Sequence, residues 1–270
     1  MTSICFIGAG NMATSIIGGL IAKGTAAEQI IACDPNTDAL SKLHQQYGVK
    51  ICTDNQDACK NQDIIVLAVK PQALKTVAQH LAPGLNQNSL VISIAAGIGS
   101  EHLGQWLGQE TPIVRCMPNT PALVKQGASG VYANPHVSVQ QKQQAEGLLS
   151  AVGITVWLDD EALIDPVTAV SGSGPAYFFL MMEAMIDAGV KQGLTQEQAR
   201  RLTLQTAAGA ATLAQQSDVD ITELRRRVTS PGGTTEQAIL SYEQSGFRQT
   251  VDSAMVACAE RSKAMALEFT

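Results

Sequence analysis

The chain contains no CxxC pair; its six cysteines (Cys5, Cys33, Cys52, Cys59, Cys116 and Cys258) are scattered. That pattern excludes a disulfide scaffold and reads as reduced, packed thiols of a cytoplasmic protein. The four histidines, His44, His80, His102 and His136, form no HxH or HExxH spacing, so no metal centre is expected. There is no GxSxG elbow. Ser171 and Ser173 sit between glycines with no partner base marked out, and a helix kink is expected there. Positive charge is not in excess. The net charge of −6 argues against a nucleic-acid partner while leaving room for an anionic small substrate in a local field. No apolar run approaches the roughly 20 residues of a membrane helix. The opening MTSICFIGAG has no basic segment and no cleavage site, so no signal peptide and no membrane association are expected. What remains is a globular chain of 270 residues, 45% hydrophobic and 16% charged, long enough for one large domain or two smaller ones.

The first half alternates two periods. Ile4 to Ile7 is an apolar run ending in Gly8-Ala9-Gly10-Asn11-Met12-Ala13, and a helical pattern through Met12, Ile16, Ile17, Leu20 and Ile21 follows until Gly24. This is strand, glycine-rich turn, helix, with Ala13 in place of a third glycine. Gly8 permits the turn, Gly10 lets backbone approach a pyrophosphate, and the helix N-terminus attracts its charge. A second strand over 29–33 ends in Asp34-Pro35-Asn36. An acid at Asp34 suits the free 2′-hydroxyl of NAD, whereas Asn36 and Thr37 suit a 2′-phosphate, so NAD and NADP both stay open. Helices are expected over 37–47, 55–60, 72–81, 98–107 and 138–151, and strands over 49–52, 63–69, 89–95, 113–117, 129–133 and 154–157. Continuously apolar strands between helices mean a parallel sheet covered on both faces, with ligands beyond the carboxyl ends of its strands. Four of those ends carry distinctive residues: GAGNM, VKP with Lys70, AAG with Ala95 and Ala96, and MPNTP. Lys70 is placed to neutralise a phosphate or orient the nicotinamide ribose.

Beyond Glu161 no strand-like run follows. Helices are expected over 161–170, 176–192, 195–216 (capped by Thr195 with Gln198), 221–228, 235–245 and 248–268. This predicts a dinucleotide-binding domain over 1–161 and an all-α domain over 162–270. Segments such as AYFFLMMEAMIDAGV are apolar on more than one side, which predicts a helix-swapped or interlocked homodimer. Within the helical half, LRRRVTSPGGTTEQAIL runs from helix end through a tight loop to a helix start. Pro231, Gly232 and Gly233 break regular structure, and the hydroxyls of Thr234 and Thr235, followed by Glu236 and Gln237, signal a capped start. Free N–H groups and the helix dipole would then face the loop and receive a small anion such as a carboxylate, beside Ser230, Thr234 and Thr235. An ordinary helix–helix connection is the competing reading. No acid or base stands out in this half, so chemistry that needs little proton transfer from protein, such as hydride transfer to a C=N bond, fits.

These motifs, in order FIGAGNMA, AVKP, SIAAG, MPNTPA, VSGSGPAY and VTSPGGTTEQAI, are similar over essentially the whole length to the pyrroline-5-carboxylate reductase family. The resemblance implies a Rossmann-type, doubly wound, mainly parallel sheet followed by an all-α C-terminal dimerisation domain, in dimers that often build decamers. It implies reduction of (S)-1-pyrroline-5-carboxylate to L-proline, the last step of proline biosynthesis, by NADPH, with NADH as the alternative. Family cofactor contacts carry over to Ile7, Gly8, Ala9, Gly10, Asn11, Met12, Asp34 or Asn36, Asn55, Ala68, Val69, Lys70, Pro71, Ala95 and Ala96. Substrate contacts carry over to Ser230, Gly233, Thr234, Thr235 and Glu161. The carboxylate would sit on the loop's backbone N–H groups and Thr235 would hydrogen-bond the ring nitrogen as the catalytic residue. Many members carry Ser or Thr where Asp34 stands, which weighs against the usual NADPH preference. Two other readings compete. A β-hydroxyacid dehydrogenase or ketopantoate-type reductase needs a lysine general acid in the helical half, where only Lys191 and Lys263 occur and neither in a comparable motif. A non-enzymatic dinucleotide-binding regulator would not respond to L-proline.

Overall fold

The structure is a computed structural model that describes residues 2–86 and 88–268. Eight strands form one sheet: β1 Ile4–Ile7, β2 Ile30–Cys33, β3 Lys50–Cys52, β4 Ile64–Leu67, β5 Leu90–Ser93, β6 Ile113–Met117, β7 Gly127–Ala133 and β8 Gly153–Leu158. Their order is β3-β2-β1-β4-β5-β6-β7-β8. The first six are parallel in the doubly wound order, β7 runs antiparallel to β6, and β8 is parallel to β7. The strand order reverses between β1 and β4, and that switch opens a crevice at their carboxyl ends.

Helices α1 Asn11–Ala22, α2 Thr37–Tyr47, α3 Asn55–Cys59, α4 Pro71–Leu81, α5 Ser100–Leu107 and α6 Val139–Leu149 cover the sheet. β1 shows why the strands are apolar throughout. Ile4 and Phe6 pack with Ile16, Ile17 and Leu148 on one face, while Cys5 and Ile7 pack with Leu74, Ala78 and Leu103 on the other. All four are buried, and each of Ile4, Phe6 and Ile7 removed from water contributes about 1.5–3 kcal/mol. Helix and strand bounds fall within a few residues of those the periodicity predicts.

The SGSGP stretch behaves differently from a simple interruption. A 3₁₀ turn Glu161–Leu163 leads into α7 Ile164–Val167, a π turn Thr168–Gly172, and then α8 Gly174–Lys191. The hydroxyls of Thr168 and Ser171 donate to the carbonyls of Ile164 and Val167, absorbing the irregularity. A side chain at Gly172 would meet Met117 Cε at 2.5 Å, so the turn passes close to the methionine that ends β6.

The chain divides into two compact units, one of residues 2–173 with 257–268, the other Gly174–Val256. This division by packing falls at 173/174, and the turns after Glu161 lie against β7, whose Gly130 leaves room for Val167. The second unit holds α8, α9 Gln196–Gln216, α10 Ile221–Arg227, α11 Thr234–Gln244 and the start of α12 Phe247–Glu268. α8 meets α9 through Gly189, against Ala199 and Leu194. Little else in this unit is buried: Phe178 is 68% exposed and Leu180 66%, with Phe179, Leu202 and Leu213 also exposed.

Candidate active site

The helix starts distinguish working termini from structural ones. Asn36, Asp54, Ser138, Thr195 and Asp220 each accept a first-turn N–H at α2, α3, α6, α9 and α10. α1, α4 and α11 have no side-chain cap. The first-turn N–H groups of α1 and α11 are therefore open, whereas at α4 Pro71 has no N–H and Ala73 donates to the Lys70 carbonyl.

At α1, Gly8 sits between strands: its N–H donates to the Cys33 carbonyl, and the Ala68 N–H donates to the Ile7 carbonyl. Its φ is +106°, and a Cβ there would lie 2.6 Å from the Ala68 carbonyl oxygen, so only glycine fits. Gly10 is the N-cap, with nothing within 4 Å of where its Cβ would stand. That open space lies where a pyrophosphate would approach, with Asn11 and Met12 opening the helix. Ala13, fully buried, takes the packing place of the third glycine. Asp34, just past β2, accepts from the Ala9 N–H at 2.7 Å and the Asn36 N–H at 2.8 Å. Asn36 spends its carbonyl oxygen on α2, and Asn55 opens α3. Across the crevice, Ala68 and Val69 follow β4, Lys70 is the exposed N-cap of α4, and Pro71 is its first residue. Beyond β5, Ala95 and Ala96 lead to Gly97, at φ +76°. A cavity of about 190 Å³ opens there, lined by Ala96, Gly97, Thr168, Ser173, Arg261 and Met265 among others. The predicted cofactor residues of the first unit thus lie on the carboxyl ends of β1, β2, β4 and β5 or at the starts of the helices that follow β1 to β4.

Glu161 is engaged within the same unit. It accepts from the Ser100 N–H at 2.6 Å and the Ser100 hydroxyl at 2.5 Å, and pairs with Arg115 at 2.7 Å. It thereby serves as a remote cap for α5, whose N-cap Gly99 has no acceptor. Sequence reasoning missed Ser100 and Arg115; the signal was a lone arginine inside the apolar strand IVRCM. Asn119 of MPNTP, also missed, is buried and ties the Ala128 N–H to the Ser171 carbonyl. Cys116 nearby is buried, and burial pushes its thiol up to about 12, so it is no nucleophile.

In the second unit, the loop after α10 turns at Gly232, φ +69°. Gly233 donates to the Ser230 carbonyl, and the Gly232 N–H donates to Glu236 Oε2 at 2.7 Å. Here the expected hydroxyl cap is corrected. α11 begins at Thr234 with Gly233 as N-cap, and a glycine offers no side-chain acceptor to the first turn. The exposed Thr234 and Thr235 hydroxyls are consequently not spent on capping. Among the described residues, no three His, Cys, Asp or Glu side chains cluster as a metal site, and no helix is long and apolar enough to cross a membrane.

A doubly wound sheet with an uncapped glycine-rich turn after β1, in a chain that continues into a helical unit, is the frame of a nicotinamide-dependent oxidoreductase. Comparison with known proteins agrees: residues 3–97 match the family model "NADP oxidoreductase coenzyme F420-dependent" and residues 161–265 match "Pyrroline-5-carboxylate reductase dimerisation". The chain is 58% identical to the pyrroline-5-carboxylate reductase of Pseudomonas aeruginosa, over 97% of this chain and 96% of that one. It is 39% identical to that of Escherichia coli, over 96% and 97%. The solved structure of a pyrroline-5-carboxylate reductase from Coxiella burnetii superposes with a TM-score of 0.95 at 43% identity, covering 98% of both chains. A Plasmodium falciparum pyrroline carboxylate reductase with NADP bound superposes at 0.86 and 33% identity, covering 98% of both. The chain belongs to the pyrroline-5-carboxylate reductase family.

Proposed function

We propose that the chain reduces (S)-1-pyrroline-5-carboxylate to L-proline with NAD(P)H, as the names of its relatives suggest. The observation that carries this reading is the uncapped start of α11, an anion receptor built from backbone with two unspent hydroxyls beside it. The N–H groups of the first turn hold the substrate's carboxylate, and the loop's glycines let the ring lie close to the chain. Thr235 donates its hydroxyl to the ring nitrogen and fixes the plane of the C=N bond. Ser230, Gly233 and Thr234 complete this pocket.

The residues of the first unit fit a dinucleotide. The bare turn Ile7 to Met12 takes the pyrophosphate, Asp34, Asn36 and Asn55 face the adenosine end, and Ala68 to Pro71 with Ala95 and Ala96 line the nicotinamide end. When bound, the cofactor supplies a hydride to the imine carbon. The nitrogen gains one proton from solvent, so the C=N bond becomes CH–NH. Glu161 serves by holding α5 and Arg115 in place beside the nicotinamide-end residues. Residues 1–161 carry dinucleotide binding and 162–270 carry substrate binding and dimerisation. The exposed apolar side chains of α8 and α9 support a homodimer, from which decamers can be built. We place the protein in the cytoplasm, with no membrane or nucleic-acid partner.

The test is absorbance at 340 nm with NADH and with NADPH on adding pyrroline-5-carboxylate. Substrate-dependent oxidation supports the reading. No oxidation with either nicotinamide overturns it.

A further inference from the structure

The loop before α11 contains a resident carboxylate. Glu236, the third residue of the helix, turns back so that its Oε2 accepts from the Gly232 N–H at 2.7 Å. In the usual capping box an acid at this place bonds the N-cap amide. Here the N-cap is Gly233, and the carboxylate reaches one residue further out. The amides from Pro231 to Gly233 are then assigned. Pro231 has none, Gly232 gives its own to Glu236, and Gly233 gives its own to the Ser230 carbonyl. The amides of Thr234, Thr235 and Glu236 have no acceptor among the described residues. They form a fan of three donors at the positive end of the helix dipole.

We propose that Glu236 is a positioning residue for the substrate: it pins Gly232 in its left-handed conformation and so fixes the three-amide fan in the orientation that receives the carboxylate. This inference rests on the reading that the loop binds substrate. Gly232, at φ +69°, is free to leave that conformation because glycine populates many others, and nothing packs on the space where its side chain would be. Two hydrogen bonds restrain it from within the loop: the Gly233 N–H to the Ser230 carbonyl closes the turn around it, and the Glu236 carboxylate holds its own amide. Preordering a loop lowers the cost that a ligand otherwise meets on binding. Its benefit should therefore appear in KM, with kcat set elsewhere. The opposite expectation follows if Glu236 is merely a competing anion on the receptor. Removing it would then tighten substrate binding.

Glu236→Ala and Glu236→Gln separate these, because glutamine keeps an acceptor oxygen but not the charge. In the full-length protein, E236A is expected to raise KM for pyrroline-5-carboxylate about 3- to 30-fold, the range for losing a helix cap, with kcat changed less than about threefold. E236Q is expected to recover most of that loss. The dissociation constant for NADPH, read by its fluorescence, should stay within about twofold in both, showing that the variants are folded. Amide exchange in peptides covering 230–236 should quicken in E236A and not in E236Q. An unchanged or lower KM in E236A, or equal effects of the two variants on KM, overturns the inference. A wild-type protein that oxidises neither nicotinamide overturns the reading of the loop and the inference together. An active wild type with an unaltered E236A overturns the inference alone.

Discussion

Replacing Glu161 by alanine tests what that carboxylate is for. The side chain makes three bonds, to the Ser100 amide, the Ser100 hydroxyl and the Arg115 guanidinium. Arg115 is 11% exposed and Glu161 25%, so the pair is largely withdrawn from solvent. Stranding one partner of a buried pair costs about 3–5 kcal/mol, and the quarter exposure of Glu161 lowers that to about 2–3 kcal/mol. Loss of the acceptor at the start of α5 adds about 1 kcal/mol. The sum, about 3–4 kcal/mol, corresponds to a fall in Tm of about 6–16 °C for a chain of this size. The assay is differential scanning calorimetry of wild type, E161A and E161Q at one protein concentration, since oligomers melt in a concentration-dependent way. E161Q should fall between the two, because it keeps an acceptor for Ser100 and loses the charge facing Arg115. A Tm for E161A within about 2 °C of wild type, with KM for pyrroline-5-carboxylate raised, would refute the reasoning and return Glu161 to direct substrate binding.

Gly8→Ala should weaken dinucleotide binding about tenfold or more and lower Tm. The new methyl would meet the Ala68 carbonyl at 2.6 Å on a backbone at φ +106°, and fluorescence titration with NADPH measures the loss. Cys116 should make the fold sensitive to alkali. Its thiol is raised from the ordinary 9.0 to about 12, so the folded chain keeps a proton that the unfolded chain releases, and this stability is intact below pH 9 and lost as pH rises toward 12. Urea midpoints should therefore fall more steeply for wild type than for Cys116→Ala above pH 9, by up to about 1.4 kcal/mol per pH unit; parallel curves would contradict it.

The parallel sheet was legible because its strands are buried on both faces and read as unbroken apolar runs, of which IIVL and LVIS are the clearest. GAGNM was legible because its first glycine, Gly8, sits at a positive φ that side chains rarely adopt, and a strand, glycine-rich turn and helix follow one another locally. The Glu161–Ser100–Arg115 contacts were not. They join residues 46 and 61 apart in sequence, and nothing local to any of them reports the others. The helix start at Thr234 was read as a hydroxyl cap because Ser and Thr usually cap. A glycine cap leaves no side-chain signal, and that silence is what frees the threonines. The turns after Glu161 were assigned to the helical half on their periodicity, yet they pack with the sheet, because the glycines that admit them, Gly130 and Gly172, mark closeness only once the partner is known.

The most direct measurement is the turnover of Thr235→Ala with pyrroline-5-carboxylate and saturating NADPH. If the loop presents the imine through the Thr235 hydroxyl, kcat falls about 10²- to 10³-fold while NADPH binds as in wild type, and Thr235→Ser restores a large part of the rate. Turnover of the alanine variant within a few-fold of wild type would contradict the account.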